Sequence, residues 1–160
     1  AHAAPPVFLD RQDALGAPHV YGGGWEHFVG GGVAVFDCDE DGLPDLFAAG
    51  GENPARLWRN VTAAAGAALA FEDVPLPELT GVTGAWPLDI DSDGLPDLAV
   101  MRAGANLLLR GEGDCRFSDA TAVWRFAAGE AWSPRAAPSR TRGPRRRPRP
   151  RGTRPEAGWP

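Results

Sequence analysis

The sequence predicts an all-β chain, and three observations carry that prediction. A nine-residue acidic pattern occurs twice, as Asp37-Cys38-Asp39-Glu40-Asp41-Gly42-Leu43-Pro44-Asp45 and Asp89-Ile90-Asp91-Ser92-Asp93-Gly94-Leu95-Pro96-Asp97, each time between short apolar runs. The 21 Gly and 16 Pro among 160 residues call for many turns, and no window sustains a helical period. A hydrophobic content of 43% leaves enough apolar side chain to build a core.

Taken in order, Gly32-Val33-Ala34-Val35-Phe36 enters the first acidic loop as a short strand, and Leu46-Phe47-Ala48-Ala49 leaves it as another, stopped by Gly50-Gly51. Leu57-Trp58-Arg59-Asn60 reads as the next strand and Phe71-Glu72-Asp73-Val74 as a turn. Between them the Ala-rich stretch 62–68 admits a short helical turn or an inter-strand loop, and the loop is the favoured reading. The order then recurs. Gly84-Ala85-Trp86-Pro87-Leu88 enters the second loop, Leu98-Ala99-Val100-Met101 leaves it towards Gly104, Leu107-Leu108-Leu109-Arg110-Gly111 follows as a strand, and Phe117-Ser118-Asp119-Ala120 repeats the F-x-D turn. The first aspartates of the two loops stand 52 residues apart. A period of about 50 residues made of short strands points to propeller blades, because each small sheet is buried only by stacking on its neighbour.

The loops carry the chemistry. Alternate side chains of an extended or turning backbone point the same way, so the carboxylates at positions 1, 3 and 5 can converge on one point. Three like charges at one point repel unless a cation joins them. Ca²⁺ suits such a site, since it takes six to eight oxygen ligands in irregular geometry. Gly42 and Gly94 allow a sharp reversal at positive φ. The carbonyls of Leu43 and Leu95 can then join the shell, and Pro44 and Pro96 stiffen the exit so that Asp45 and Asp97 return as ninth-position ligands. The expected ligands are therefore Asp37, Asp39, Asp41, Leu43 and Asp45, then Asp89, Asp91, Asp93, Leu95 and Asp97. An EF-hand loop starts with the same spacing but needs a bidentate Glu at position 12 and flanking helices. Position 12 here is Ala48 or Val100, and the flanks read as strands.

The strings 32–45 (GVAVFDCDEDGLPD) and 84–97 (GAWPLDIDSDGLPD) resemble FG-GAP/VCBS calcium-loop repeats, which also build the propellers of integrin α subunits. The fuller phrase from His27 to Cys38, followed by Leu57-Trp58-Arg59-Asn60, is similar to bacterial relatives of cartilage acidic protein 1, propellers associated with an ASPIC domain. The resemblance spans roughly residues 8 to 130. It implies an exported, calcium-stabilised propeller with binding or adhesion roles and no catalytic activity, and it implies the same ten metal ligands. A closed propeller needs about four to eight blades, and two are recognisable here, with fragments of others at the ends.

The remaining features set expectations about compartment and ends. The only cysteines are Cys38, at an outward loop position, and Cys115, beside the turn Gly111-Glu112-Gly113-Asp114. They allow either a disulfide between neighbouring blades or two unpaired thiols. No apolar run is long enough for a transmembrane helix. Ala1-His2-Ala3 resembles the small-residue end of a cleaved signal peptide; together with loops suited to the calcium found outside the cytoplasm and with the family resemblance, this gives the expectation of a protein in the periplasm or outside the cell. Residues 1–130 hold 20 acidic and 7 basic side chains, whereas 131–160 hold 1 and 9. All sixteen basic residues are Arg. The Arg/Pro-rich end reads as a disordered segment: a frame-shifted or mispredicted end by preference, otherwise a native linker or a tail that binds polyanions non-specifically.

The domain reading is thus an N-terminal extension or partial strand over 1–18, propeller repeats over 19–130, and the basic tail over 131–160. No Ser, His and Asp group has nucleophile-motif spacing, and the runs Gly22-Gly23-Gly24 and Gly30-Gly31-Gly32 lack a phosphate-loop pattern. His27 could serve as a metal or substrate ligand, but a packed histidine is the favoured reading. The six Trp residues are expected to pack mostly between blades. The function expected is a non-enzymatic, calcium-binding module whose loops contact an extracellular protein or glycan. The alternative is a fragment of a propeller lyase or hydrolase acting on polysaccharide or another extracellular substrate.

Overall fold

The computed structural model describes residues 5–127. The tail over 131–160, Ala1-His2-Ala3, Trp132 and Trp159 lie outside the described residues. Two short 3₁₀ turns, Gln12–Leu15 and Trp25–His27, precede eight strands: β1 (Val33–Phe36), β2 (Asp45–Ala48), β3 (Arg56–Asn60), β4 (Phe71–Val74), β5 (Val82–Leu88), β6 (Asp97–Arg102), β7 (Leu107–Gly111) and β8 (Phe117–Asp119). They form two four-stranded antiparallel sheets in chain order, β1 to β4 and β5 to β8. The fold is all-β, and each sheet is a meander of the kind that makes one propeller blade.

Each acidic loop closes the first hairpin of its sheet. Phe36 pairs with Asp45 at the mouth of the first loop, and Leu88 pairs with Asp97 at the mouth of the second. Stretch 62–68 is a loop: the Ala67 N–H donates to the Ala64 carbonyl, and the Val61 N–H reaches the Ala70 carbonyl across its base. The F-x-D segments differ from the expectation. They are not turns but the fourth strand of each sheet, because Phe71 and Phe117 register on Asn60 and Gly111 of the preceding strands.

Period-2 alternation decides which side chains meet. Ala34, Phe47 and Leu57 fall on one row of the first sheet and face Leu98, Val100 and Leu109 of the second, forming a single core. Burial of side chains this size contributes about 1.5–3 kcal/mol each, which neither small sheet would gain alone. The sheets also touch through backbone where β1 begins. The Gly32 N–H donates to the Thr83 carbonyl at 3.0 Å, and a Cβ on Gly32 would stand 3.1 Å from both that oxygen and the Gly84 Cα. Pro87 is tolerated in β5 because that strand is an edge of its sheet.

The Trp expectation fails for the described residues. Trp58 is buried, but against His19, whose ring meets it edge-on at 5.4 Å, and Arg56, which lies over it. Trp25 and Trp86 are largely exposed. Cys38 is not outward in the sense of solvent: it is 2% exposed and bonded to Cys115 in the β7–β8 turn, with Cα atoms 4.6 Å apart. The covalent bond runs from the first acidic loop to the second sheet, and the Cys115 N–H donates to the Cys38 carbonyl beside it.

Candidate metal centres

Both loops follow the same path. Glu40 and Ser92, at position 4, each take φ of 61°, and the glycines at position 6 take 84° and 90°. A Cβ on Gly42 or Gly94 would meet nothing within 4 Å, so glycine is required there by backbone conformation and not by space. The fifth-position carboxylates cap the turn: Asp41 accepts the Leu43 N–H at 2.7 Å and Asp93 the Leu95 N–H at 2.9 Å.

In the first loop, Asp37, Asp39 and Asp41 each bring a carboxylate oxygen to within 4.8 Å of the others. Asp37 Oδ2 accepts the Gly42 N–H at 2.8 Å, whereas Asp37 Oδ1 is buried with no hydrogen-bond partner. A buried carboxylate oxygen left in that state is costly, and it fits a cation held between the three. Asp39 has its pKa raised, first by burial and then by the charges of Asp41 and Asp45, against the lowering effect of the Asp41 N–H and Arg59. In the second loop the atoms that come together belong to Asp89, Asp91 and Asp97.

Asp45 and Asp97 also hold the backbone. Both are fully buried. Asp45 accepts the Cys38 N–H at 2.7 Å and the Asn60 N–H at 2.8 Å; Asp97 accepts the Ile90 N–H at 2.7 Å and the Gly111 N–H at 2.9 Å. Each carboxylate therefore ties the start of its loop to the third strand of its sheet. Asp45 does not join the tight group of Asp37, Asp39 and Asp41, and Asp93 does not join that of Asp89, Asp91 and Asp97.

A residue outside the pattern separates the two loops. Arg59 and Arg110 occupy equivalent places, next to the backbone donors Asn60 and Gly111. Arg59 pairs across the strands with Glu72 and binds it at 2.7 Å, which leaves it 3.9 Å from Asp39. Arg110 pairs with Ser118, which offers no charge, and forks onto Asp91 at 2.8 Å and Asp93 at 2.9 Å. The Leu95 N–H and this guanidinium hold the Asp93 carboxyl below its ordinary pKa. The Arg at this place is visible in both sequence repeats, but its partner depends on strand register.

Paired four-stranded meanders, each with an acidic hairpin loop at the same end, define a repeat module of the propeller class. Residues 37–100, from the first aspartate of one loop through the other loop into β6, match the family model of the FG-GAP-like repeat. No curated protein and no solved structure matches the chain significantly. Among the described residues no helix is long and apolar enough to cross a membrane.

Proposed function

We propose that this chain is a calcium-binding propeller repeat module of an exported protein, related to the bacterial relatives of cartilage acidic protein 1, in which the ion is scaffold and not reactant. The observation that carries the reading is the convergence of three carboxylates in each of two loops, with Asp37 Oδ1 buried and unpartnered in the first. When bound, Ca²⁺ would neutralise these carboxylates and brace the hairpin turn. The chain's own part is to hold the carboxylates converged, through Gly42 and Gly94 and through the backbone contacts of Asp45 and Asp97. The Cys38–Cys115 bond supports an oxidising compartment, where calcium is also abundant. The module has no catalytic role in this reading. It offers an extracellular protein or glycan a groove of about 530 Å³ between β1 and β5, lined by Val33, Val35, Trp86 and Pro87.

Calcium should raise the unfolding temperature and EDTA should lower it, because a ligand that binds only the folded state stabilises it by mass action. At 100 times the dissociation constant each site adds about 2.7 kcal/mol. Identical melting curves in calcium and EDTA would overturn the reading. Turnover in a screen of glycans and polysaccharides would overturn the non-catalytic part of it.

The two loops should differ in affinity. Arg110 competes for the second loop, whereas Glu72 draws Arg59 from the first. Removing Arg110 with Arg110→Ala should tighten the weaker calcium site roughly two- to tenfold, as expected for a few exposed ion pairs. Glu72→Ser should weaken the stronger site by releasing Arg59. Two-site calorimetry of both variants decides this, and unchanged constants in both would remove any role for the arginines.

A further inference from the structure

We propose a further and chemically different metal site at the other end of the first sheet, formed by Glu26, His27 and Glu52, which would take a borderline divalent transition cation such as Zn²⁺. The acidic loop lies at the Asp45 end of β2; Glu52 lies in the turn beyond its Ala48 end. One ligand atom from each of Glu26, His27 and Glu52 lies within 4.8 Å of the other two. His27 is the independent observation. It is 5% exposed, and neither ring nitrogen has a hydrogen-bond partner. An imidazole buried beside two carboxylates would ordinarily donate to one of them or ligate a cation.

The surrounding backbone is built closely around this group. The Gly22 N–H donates to the Gly50 carbonyl at 3.1 Å and the Glu52 N–H donates to the Gly22 carbonyl at 2.8 Å, which fastens the glycine run to the β2–β3 turn. Tyr21 holds the 3₁₀ turn by donating its hydroxyl to the His27 carbonyl at 2.8 Å. The Gly24 N–H donates to Glu52 Oε1 at 3.0 Å and so aims that carboxylate. A Cβ on Gly23, whose φ is +143°, would stand 2.6 Å from His27 Nδ1, and one on Gly24 would stand 2.8 Å from Glu26 Oε2. Side chains at either position would fill the space the three ligands share. One imidazole with two carboxylates suits Zn²⁺ or Mn²⁺, whereas Ca²⁺ prefers oxygen alone. The site is therefore independent of the calcium loops.

The test is a Zn²⁺ titration of the full chain in excess Ca²⁺, by calorimetry and by ¹⁵N resonances of the His27 ring. The expected result is a Zn²⁺-dependent shift of a His27 ring nitrogen, with Glu26→Gln and Glu52→Gln each weakening Zn²⁺ by at least the ~10-fold that even outer-shell changes cost, and His27→Gln abolishing the site. Should His27→Gln unfold the turn, the two Glu variants and the ring resonances of the unaltered chain still decide. Zn²⁺ affinity untouched by both Glu substitutions, or a His27 ring unmoved by Zn²⁺, would overturn the proposal.

Discussion

Replacing Asp45 with Ala should lower the unfolding free energy by about 2–6 kcal/mol, with Asp97→Ala close behind. Asp45→Ala leaves two buried backbone N–H groups without an acceptor, and Asp97→Ala leaves one buried and one part-buried; each buried group costs about 1–3 kcal/mol. For Asp45 those groups belong to Cys38 and Asn60, and for Asp97 to Ile90 and Gly111. The loss should persist in EDTA, since it comes from backbone contacts that need no ion. Asp41→Ala is the contrast: its carboxylate is exposed and caps a single turn, so its effect should be small in EDTA and appear mainly in calcium. Urea unfolding of the three variants, with and without calcium, checks both statements. A loss below 1 kcal/mol for Asp45→Ala in EDTA would count against the bracing role.

Reducing the Cys38–Cys115 bond should have an effect of similar size. The two residues are 77 apart in sequence, and closing a loop of that length restricts the unfolded chain by about 4 kcal/mol on the chain-entropy model. Chemical unfolding with and without reductant measures it, and a double Cys38→Ala, Cys115→Ala variant removes doubt about incomplete reduction. This loss should not add simply to that of Asp45→Ala. Cys38 supplies one of the N–H groups that Asp45 accepts, and the Cys115 sulfur lies 3.7 Å from Asp45 Oδ2. Residues that share one buried volume couple, so the triple variant should lose less than the sum. Full additivity would mean that loop and cross-link act separately.

Much of this was legible in the chain because it is local. The strands beside each loop follow from short apolar runs ended by glycine, and the loop path follows from carboxylates at alternate positions with Gly at the sixth. The F-x-D segments read as turns and fold as strands for the opposite reason. Phe71-Glu72-Asp73 and Phe117-Ser118-Asp119 are too short and polar to announce strands, and they become strands only because β3 and β7 present an unpaired edge to them. The Trp residues depart from expectation similarly: Trp58 is buried against His19 and Arg56, while Trp25 and Trp86 stay largely exposed.

By itself, then, the sequence determined the repeat, which shows as the same pattern written twice, and the all-β class and the places where carboxylates would gather, which depend on spacing within about ten residues. Tertiary structure decided what each polar group does. It buried Asp45 and Asp97 against third-strand N–H groups, and it set Glu72 against Arg59 but Ser118 against Arg110. It also brought Glu52 to His27 across 25 residues and Cys115 to Cys38 across 77. The physical reason is common to all four. Strand register and sheet packing choose partners from distant segments, and the strength of a charge or a hydrogen bond depends on which partner arrives and on how much water is excluded when it does.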